Sequence, residues 1–138
     1  MRRVFGLLAF VSVCTASVAL ACSCAPPPPP KAALAASTAV FAGKVVKVEP
    51  IGDFQRAVTL EVASSWKGVE GKTVTVHTPK DGAACGYGFE KGKSYLVYAN
   101  AVKQGDAKVL ITNLCMRTKG LAEAKDEIVE LDDVKKAE

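Results

Sequence analysis

Two cysteines one residue apart, Cys22 and Cys24, precede a run of five prolines from Pro26 to Pro30, and two further cysteines follow at Cys85 and Cys115. Thiols in this number and spacing support three chemistries: structural disulfides, disulfide exchange, or binding of a soft metal such as copper. The single histidine, His77, falls on the expected polar face of a strand beside Thr73 and Thr75, where an imidazole is more often a surface residue than a base or ligand. No serine lies in a nucleophile motif, and no H-E-x-x-H, Walker loop or dinucleotide fingerprint occurs. Gly82, Gly86, Gly88 and Gly92 precede no helix that would bind phosphate, so they predict a turn-rich loop. The chain is therefore not expected to be an enzyme or to carry a cofactor of its own.

Which thiols matter depends on the first 21 residues. Met1-Arg2-Arg3 leads into an almost uncharged run from Val4 to Ala21 that closes on Ala19-Leu20-Ala21. A basic start, an apolar middle and small residues at the end form a signal peptide, and Ser12, Thr15 and Ser17 make the run too polar for a retained anchor. Cleavage after Ala21 leaves a single domain of residues 22–138, removes Cys14, and lowers the net charge from +4 to +2. The new first residue is Cys22. An exported chain with four cysteines is expected to form two disulfides. Cys22 and Cys24 are poor partners for each other because so short a ring is strained, so each reaches a distant cysteine, with the pairing left open. A cysteine after a signal sequence is also a site of lipidation, although Ala19 stands where bacterial lipoproteins carry an aliphatic residue. The expected location is secreted or periplasmic, with a lipid anchor only if Cys22 is acylated.

Several elements must position these cysteines. The prolines after Cys24 predict a stiff, non-helical polyproline II arm. Lys31 to Ser37 predicts a helical turn. Strands are expected over Val40 to Val48, with a bulge at Gly43 where the apolar phase shifts, then over Val58 to Trp66, Thr73 to His77, Tyr95 to Ala99 and Lys108 to Ile111. A turn around Gln104-Gly105-Asp106 joins the last two. From Thr118 the period changes, and Leu121, Ala124, Ile128 and Leu131 predict an amphipathic helix whose acidic face is solvated. Five strands in so small a domain favour closure into a twisted antiparallel barrel. The expected fold is mainly β, a five-stranded OB-fold Greek-key barrel with a flanking C-terminal α-helix.

Such barrels often bind single-stranded nucleic acid through a basic groove lined with aromatics. Here the modest charge, the few aromatics and the export segment argue against nucleic acid as a partner. Charge is unevenly placed: residues 22–122 carry 13 basic and 7 acidic groups, residues 123–138 carry 3 and 7.

Cys22-Ser23-Cys24-Ala25-Pro26, taken with Cys85-Gly86-Tyr87 and the later Cys115, resembles the N-terminal inhibitory domain of the tissue inhibitors of metalloproteinases, the netrin-like module. The resemblance spans residues 22 to about 131 and looks like a single-domain bacterial relative of that family. It implies disulfides Cys22–Cys85 and Cys24–Cys115. It also implies a monomer whose partner is a zinc metalloprotease, a secreted inhibitor that chelates the catalytic zinc of that protease through the α-amine and carbonyl oxygen of Cys22. A catalytic zinc keeps one position open for water, and a bidentate donor can occupy it. By the same resemblance Ser23 enters the specificity pocket of the protease, Ala25 and Pro26 continue along its cleft, and Ala83 and Ala84 lie beside the arm.

The sequence departs from that family in three ways. Leu34 stands near where a third disulfide would begin, Pro28 stands where the family has histidine, and the cysteine-rich C-terminal domain is missing. Two other functions use the same residues: a netrin-like binding module or lipid-anchored surface protein without inhibitory activity, and a thiol redox or copper-handling protein acting through Cys22 and Cys24. Acylation of Cys22 and zinc chelation by its amine exclude one another.

Overall fold

The computed structural model describes residues 22–137; the expected signal peptide and Cys14 lie outside the described residues. Helix α1 (Pro30–Ala36) is followed by strands β1 (Ala39–Ile51), β2 (Gln55–Lys67), β3 (Thr73–Pro79), β4 (Ser94–Gln104), β5 (Ala107–Ile111) and β6 (Lys119–Gly120), and then by helix α2 (Lys125–Lys136). β1 pairs with both β2 and β4, β2 with β3, β3 with β5, and β5 with β4, so five strands form a closed ring. This is the expected five-stranded barrel with a flanking C-terminal helix. One refinement concerns direction. The ring closes through a short parallel pairing, Val76 with Leu110 and His77 with Ile111, between otherwise antiparallel strands. The two-residue β6, pairing with the start of β4, is a sixth strand too short to leave a periodic signal.

The long strands β1 and β2 pair with bulges rather than in even register. The β1–β2 register shifts at Ala42/Gly43, as the apolar phase there predicted, and again at Val45/Lys47. Gly43 is required by close approach: a Cβ there would sit 2.9 Å from the carbonyl oxygen of Glu61. Pro50 and Ile51, beyond the expected end of the strand at Val48, extend the ladder opposite Arg56 and Gln55.

Alternation along β1 and β4 sorts their side chains onto two sides of the barrel wall. Ala39, Phe41, Val45, Tyr95, Val97 and Ala99 face inward with Val58, Leu60, Val76 and Phe89, forming the interior core. Val40, Leu96 and Tyr98 face outward and pack beneath Ala33 and Leu34 of α1 and Leu131 of α2, with Ala124 before it. Both sides are buried, so these strands read as nearly continuous apolar runs.

The helices also differ in detail from expectation. Pro30, expected within the non-helical arm, begins α1, because its absent N–H is one that a first-turn residue would leave unpaired anyway. Lys67 then reaches back to the free carbonyls of Leu34 and Ala35 at 3.0 and 2.9 Å. At the other end of the chain, residues 118–124 are not α-helical. They hold β6 and a 3₁₀ turn (Leu121–Glu123), and α2 starts at Lys125. Trp66 at the end of β2 donates its indole N–H to Asp132 at 2.7 Å, which fixes α2 against the barrel.

Candidate functional site

Residues 22–29 form an extended arm without helix or strand structure, and Ser23, Cys24, Ala25 and Pro26 are exposed. Two disulfides root it: Cys22–Cys85 and Cys24–Cys115, each with 5.0 Å between the Cα atoms. This is the pairing the resemblance implied.

Each distant cysteine is presented by a loop built for it. Pro79 ends β3, and the Asp81 carboxylate accepts from the backbone N–H of Ala84 at 3.0 Å, capping a 3₁₀ turn over Gly82–Ala84. That turn leaves Ala83 and Ala84 exposed and delivers Cys85 in the left-handed region, φ 65°. A left-handed residue with a side chain costs roughly 1 kcal/mol, which the neighbouring backbone must hold in place. Gly86 does so by close approach. It is buried, its N–H donates to the Asp81 carbonyl at 2.7 Å, and a Cβ there would lie 2.1 Å from the Pro79 carbonyl oxygen. The second loop follows β5. Asn113 accepts from the N–H of Cys115 at 2.9 Å, and the N–H of Leu114 donates to the Cys85 carbonyl at 2.9 Å, joining the two loops directly.

A third tie holds the far end of the arm. Arg117, two residues after Cys115, donates through Nη1 to the Pro28 carbonyl at 3.0 Å. Its Nε and Nη2 donate to the two oxygens of Glu127 at 2.7 and 2.8 Å, a bidentate pair, and Lys119 and the Tyr98 hydroxyl also donate to Glu127, at 2.6 and 2.7 Å. Glu127 is buried. This corrects the expectation of a wholly solvated acidic face on α2: Tyr98 of β4, Lys119 of β6 and Arg117 of the loop before β6 all donate to one helical carboxylate. Burial by itself raises the Glu127 pKa, but the hydrogen bonds from Arg117, Lys119 and Tyr98 outweigh it and hold the carboxyl at about 2. Burial, then the bond to Glu127, pushes the Tyr98 phenol well above its usual range. The bond to Glu127 also raises the Arg117 guanidinium. Neither Arg117 nor Glu127 was legible as a site residue, since the only sequence signal was a basic pair, Arg117 and Lys119, eight to ten residues ahead of an acid.

The residues singled out by sequence divide cleanly. Cys22, Ser23, Cys24, Ala25, Pro26, Ala83, Ala84, Cys85 and Cys115 belong to one end of the molecule, linked through the two disulfides and the loops that carry them. The His77 side chain joins a different set of contacts. It is half-buried on β3, and its Nδ1 lies 3.3 Å from Oε1 of Gln104, whose amide in turn donates to Gln55. That chain of side chains ties β2, β3 and β4 together. Among the described residues, the one set of potential ligand atoms close enough to share an ion consists of Cys22, Cys24 and Cys115.

No protein-family model and no curated protein matches this chain, so the netrin-like resemblance rests on the residues that carry it. Two disulfides fit an oxidising compartment outside the cytoplasm. No helix among the described residues is long and apolar enough to cross a membrane.

Proposed function

We propose that this protein is a secreted or periplasmic inhibitor of zinc metalloendopeptidases that acts through Cys22 once residues 1–21 have been removed. One observation supports this reading above the others. An exposed arm starting at Cys22 is tied at its root to two loops that are themselves hydrogen-bonded together, so its backbone is held before any partner arrives.

The chemistry follows from the first residue of the processed chain. Its α-amine and carbonyl oxygen form a five-membered chelate with a metal, and such a chelate in the open position of a catalytic zinc displaces the water that would attack the substrate. The amine must be neutral to coordinate. Its ordinary pKa of about 8 lies close enough to neutrality for zinc to drive off the proton. Rigid rooting of the arm removes ordering cost that binding would otherwise meet. Ser23 is the exposed side chain next to the chelate and enters the specificity pocket, with Ala25 and Pro26 running on and Ala83 and Ala84 alongside. The zinc belongs to the protease.

Extending the processed chain by one alanine ahead of Cys22 turns the amine into an amide. Inhibition of a panel of zinc endopeptidases is expected to fall at least about a hundredfold, roughly 3 kcal/mol, with circular dichroism unchanged. Equal inhibition by extended and native proteins would remove chelation as the mechanism. The mass of the exported protein is part of the same experiment, because a diacylglyceryl group on Cys22 leaves no free amine. For Ser23→Gly, relative inhibition across the panel is expected to shift by about 1–3 kcal/mol between proteases, as one small group in a pocket does. A uniform profile would place Ser23 outside any pocket.

A further inference from the structure

The two disulfides lie against each other. Cys22 Sγ is 3.9 Å from Cys24 Sγ and 3.9 Å from Cys115 Sγ, and Cys115 Sγ is 3.9 Å from Cys85 Sγ. A tetrahedral thiolate site with metal–sulfur bonds of about 2.3 Å has sulfur–sulfur edges of about 3.8 Å. Three of its six edges are therefore already in place between atoms that are not bonded to each other. Two more form when the disulfide sulfurs move apart.

We infer that the reduced chain binds one thiophilic divalent d¹⁰ ion, of the zinc and cadmium class, on Cys22, Cys24, Cys85 and Cys115. The framework that gathers the sulfurs does not depend on the disulfides alone. The Cys85 and Cys115 loops are joined by the Leu114 N–H to Cys85 carbonyl bond, and the Cys115 loop is fixed to β3 by the Thr112 N–H to His77 carbonyl bond at 2.9 Å. The arm that carries Cys22 and Cys24 is held at its other end by Arg117 on Pro28 and by α1, whose Ala33 and Leu34 are buried. Cys24 is exposed and the other three cysteines are half-buried, which gives an ion a way in. No carboxylate or imidazole joins the set of nearby ligand atoms, so the site favours a soft ion over calcium or magnesium.

The chemistry balances. Each disulfide takes two electrons and two protons from a reductant; with a phosphine and water, the phosphine leaves as its oxide and two thiols form. The metal then displaces four thiol protons and makes four metal–sulfur bonds. The same sulfurs thus either pin the arm covalently or hold a metal, according to redox state. This inference concerns the sulfurs and not the α-amine, so it stands apart from the inhibitory reading.

The test uses the full chain carrying Cys14→Ser, reduced with a phosphine and titrated with Cd²⁺ alone. Binding is expected to saturate at one cadmium per chain with thiolate-to-cadmium absorbance matching four thiolates. Near-UV circular dichroism from Trp66 and the tyrosines is expected to persist through reduction or to return on adding cadmium. Cys24→Ser and Cys85→Ser are each expected to cut the absorbance by a quarter and weaken binding at least about a hundredfold. Cadmium held as tightly in concentrated urea, two cadmium ions per chain, or variants that bind like the parent would overturn the site.

Discussion

The wall made by β1 and β4 has two buried sides, and they are built differently. Inside the barrel, Phe41, Leu60, Val58, Val76 and Val97 are fully enclosed in a core without a charged group. Outside, beneath the helices, Tyr98 and Leu131 share the layer with a buried carboxylate, Glu127, and with Arg117 and Lys119, whose side chains keep 17% and 30% of their exposure. An apolar core is indifferent to which elements supply its atoms, as long as volume is filled. A bidentate ion pair is not, since it needs a particular donor opposite a particular acceptor. The outer layer therefore fixes how α2, the segment around Arg117, and the arm through Pro28 sit relative to one another, while the inner core contributes through burial of apolar area without directional contacts.

That contrast can be broken from either side. The largest effect is expected for Phe41→Ala, which leaves a cavity inside the barrel and lowers unfolding free energy by about 3–5 kcal/mol in urea denaturation. A loss under about 1 kcal/mol would mean the interior collapses freely and is not the stabilising side. Next comes Glu127→Gln, which strands Arg117 and Lys119 without their anion. The expected loss is about 2–3 kcal/mol, less than for a wholly buried pair because both cations keep some water. Replacing Arg117 with Met and Glu127 with Leu together is expected to recover most of it; if the double variant is as unstable as the single one, the layer is not set by charge.

The smallest effect is the response to acid. The Glu127 carboxyl titrates at about 2 in the fold against 4.5 in the unfolded chain, so the unfolded chain binds the proton more readily. Its contribution is complete above about pH 4.5 and is lost as pH falls toward 2. Reduced by the solvent near its partners, that amounts to about 2 kcal/mol. Urea midpoints followed from neutral to acid pH should fall more steeply for the native chain than for Glu127→Gln. Parallel profiles would show that Glu127 does not carry the dependence.

Much of the barrel was legible because its signals are local. Val58 and Leu60 alternate with polar neighbours, Gly43 interrupts an apolar run, and Gly105-Asp106 forms the two-residue link between β4 and β5. The root of the arm was legible for another reason, since four cysteines leave few pairings and the resemblance chose among them. What escaped is what depends on partners far along the chain. Glu127 looks like any acid on a helix until Tyr98, Arg117 and Lys119 are brought to it by β4 and β6. The delayed start of α2 escaped because Leu121 keeps a helical spacing while its backbone turns as 3₁₀. The parallel β3–β5 contact follows from ring closure, which no single strand encodes.

The order of the bridges has a consequence for a chain exposed to proteolysis. Cys22 and Cys24 lie on the same side of every turn in the barrel, with partners 63 and 91 residues away. A cut in the β1–β2 link over 52–54, where Phe54 is 81% exposed, yields two pieces that stay joined by both bridges. A cut at Gly105 leaves them joined by one. The covalent pattern thus acts as a double splice across the first cut and a single one across the second, and in both cases the severed chain keeps its arm attached to the barrel.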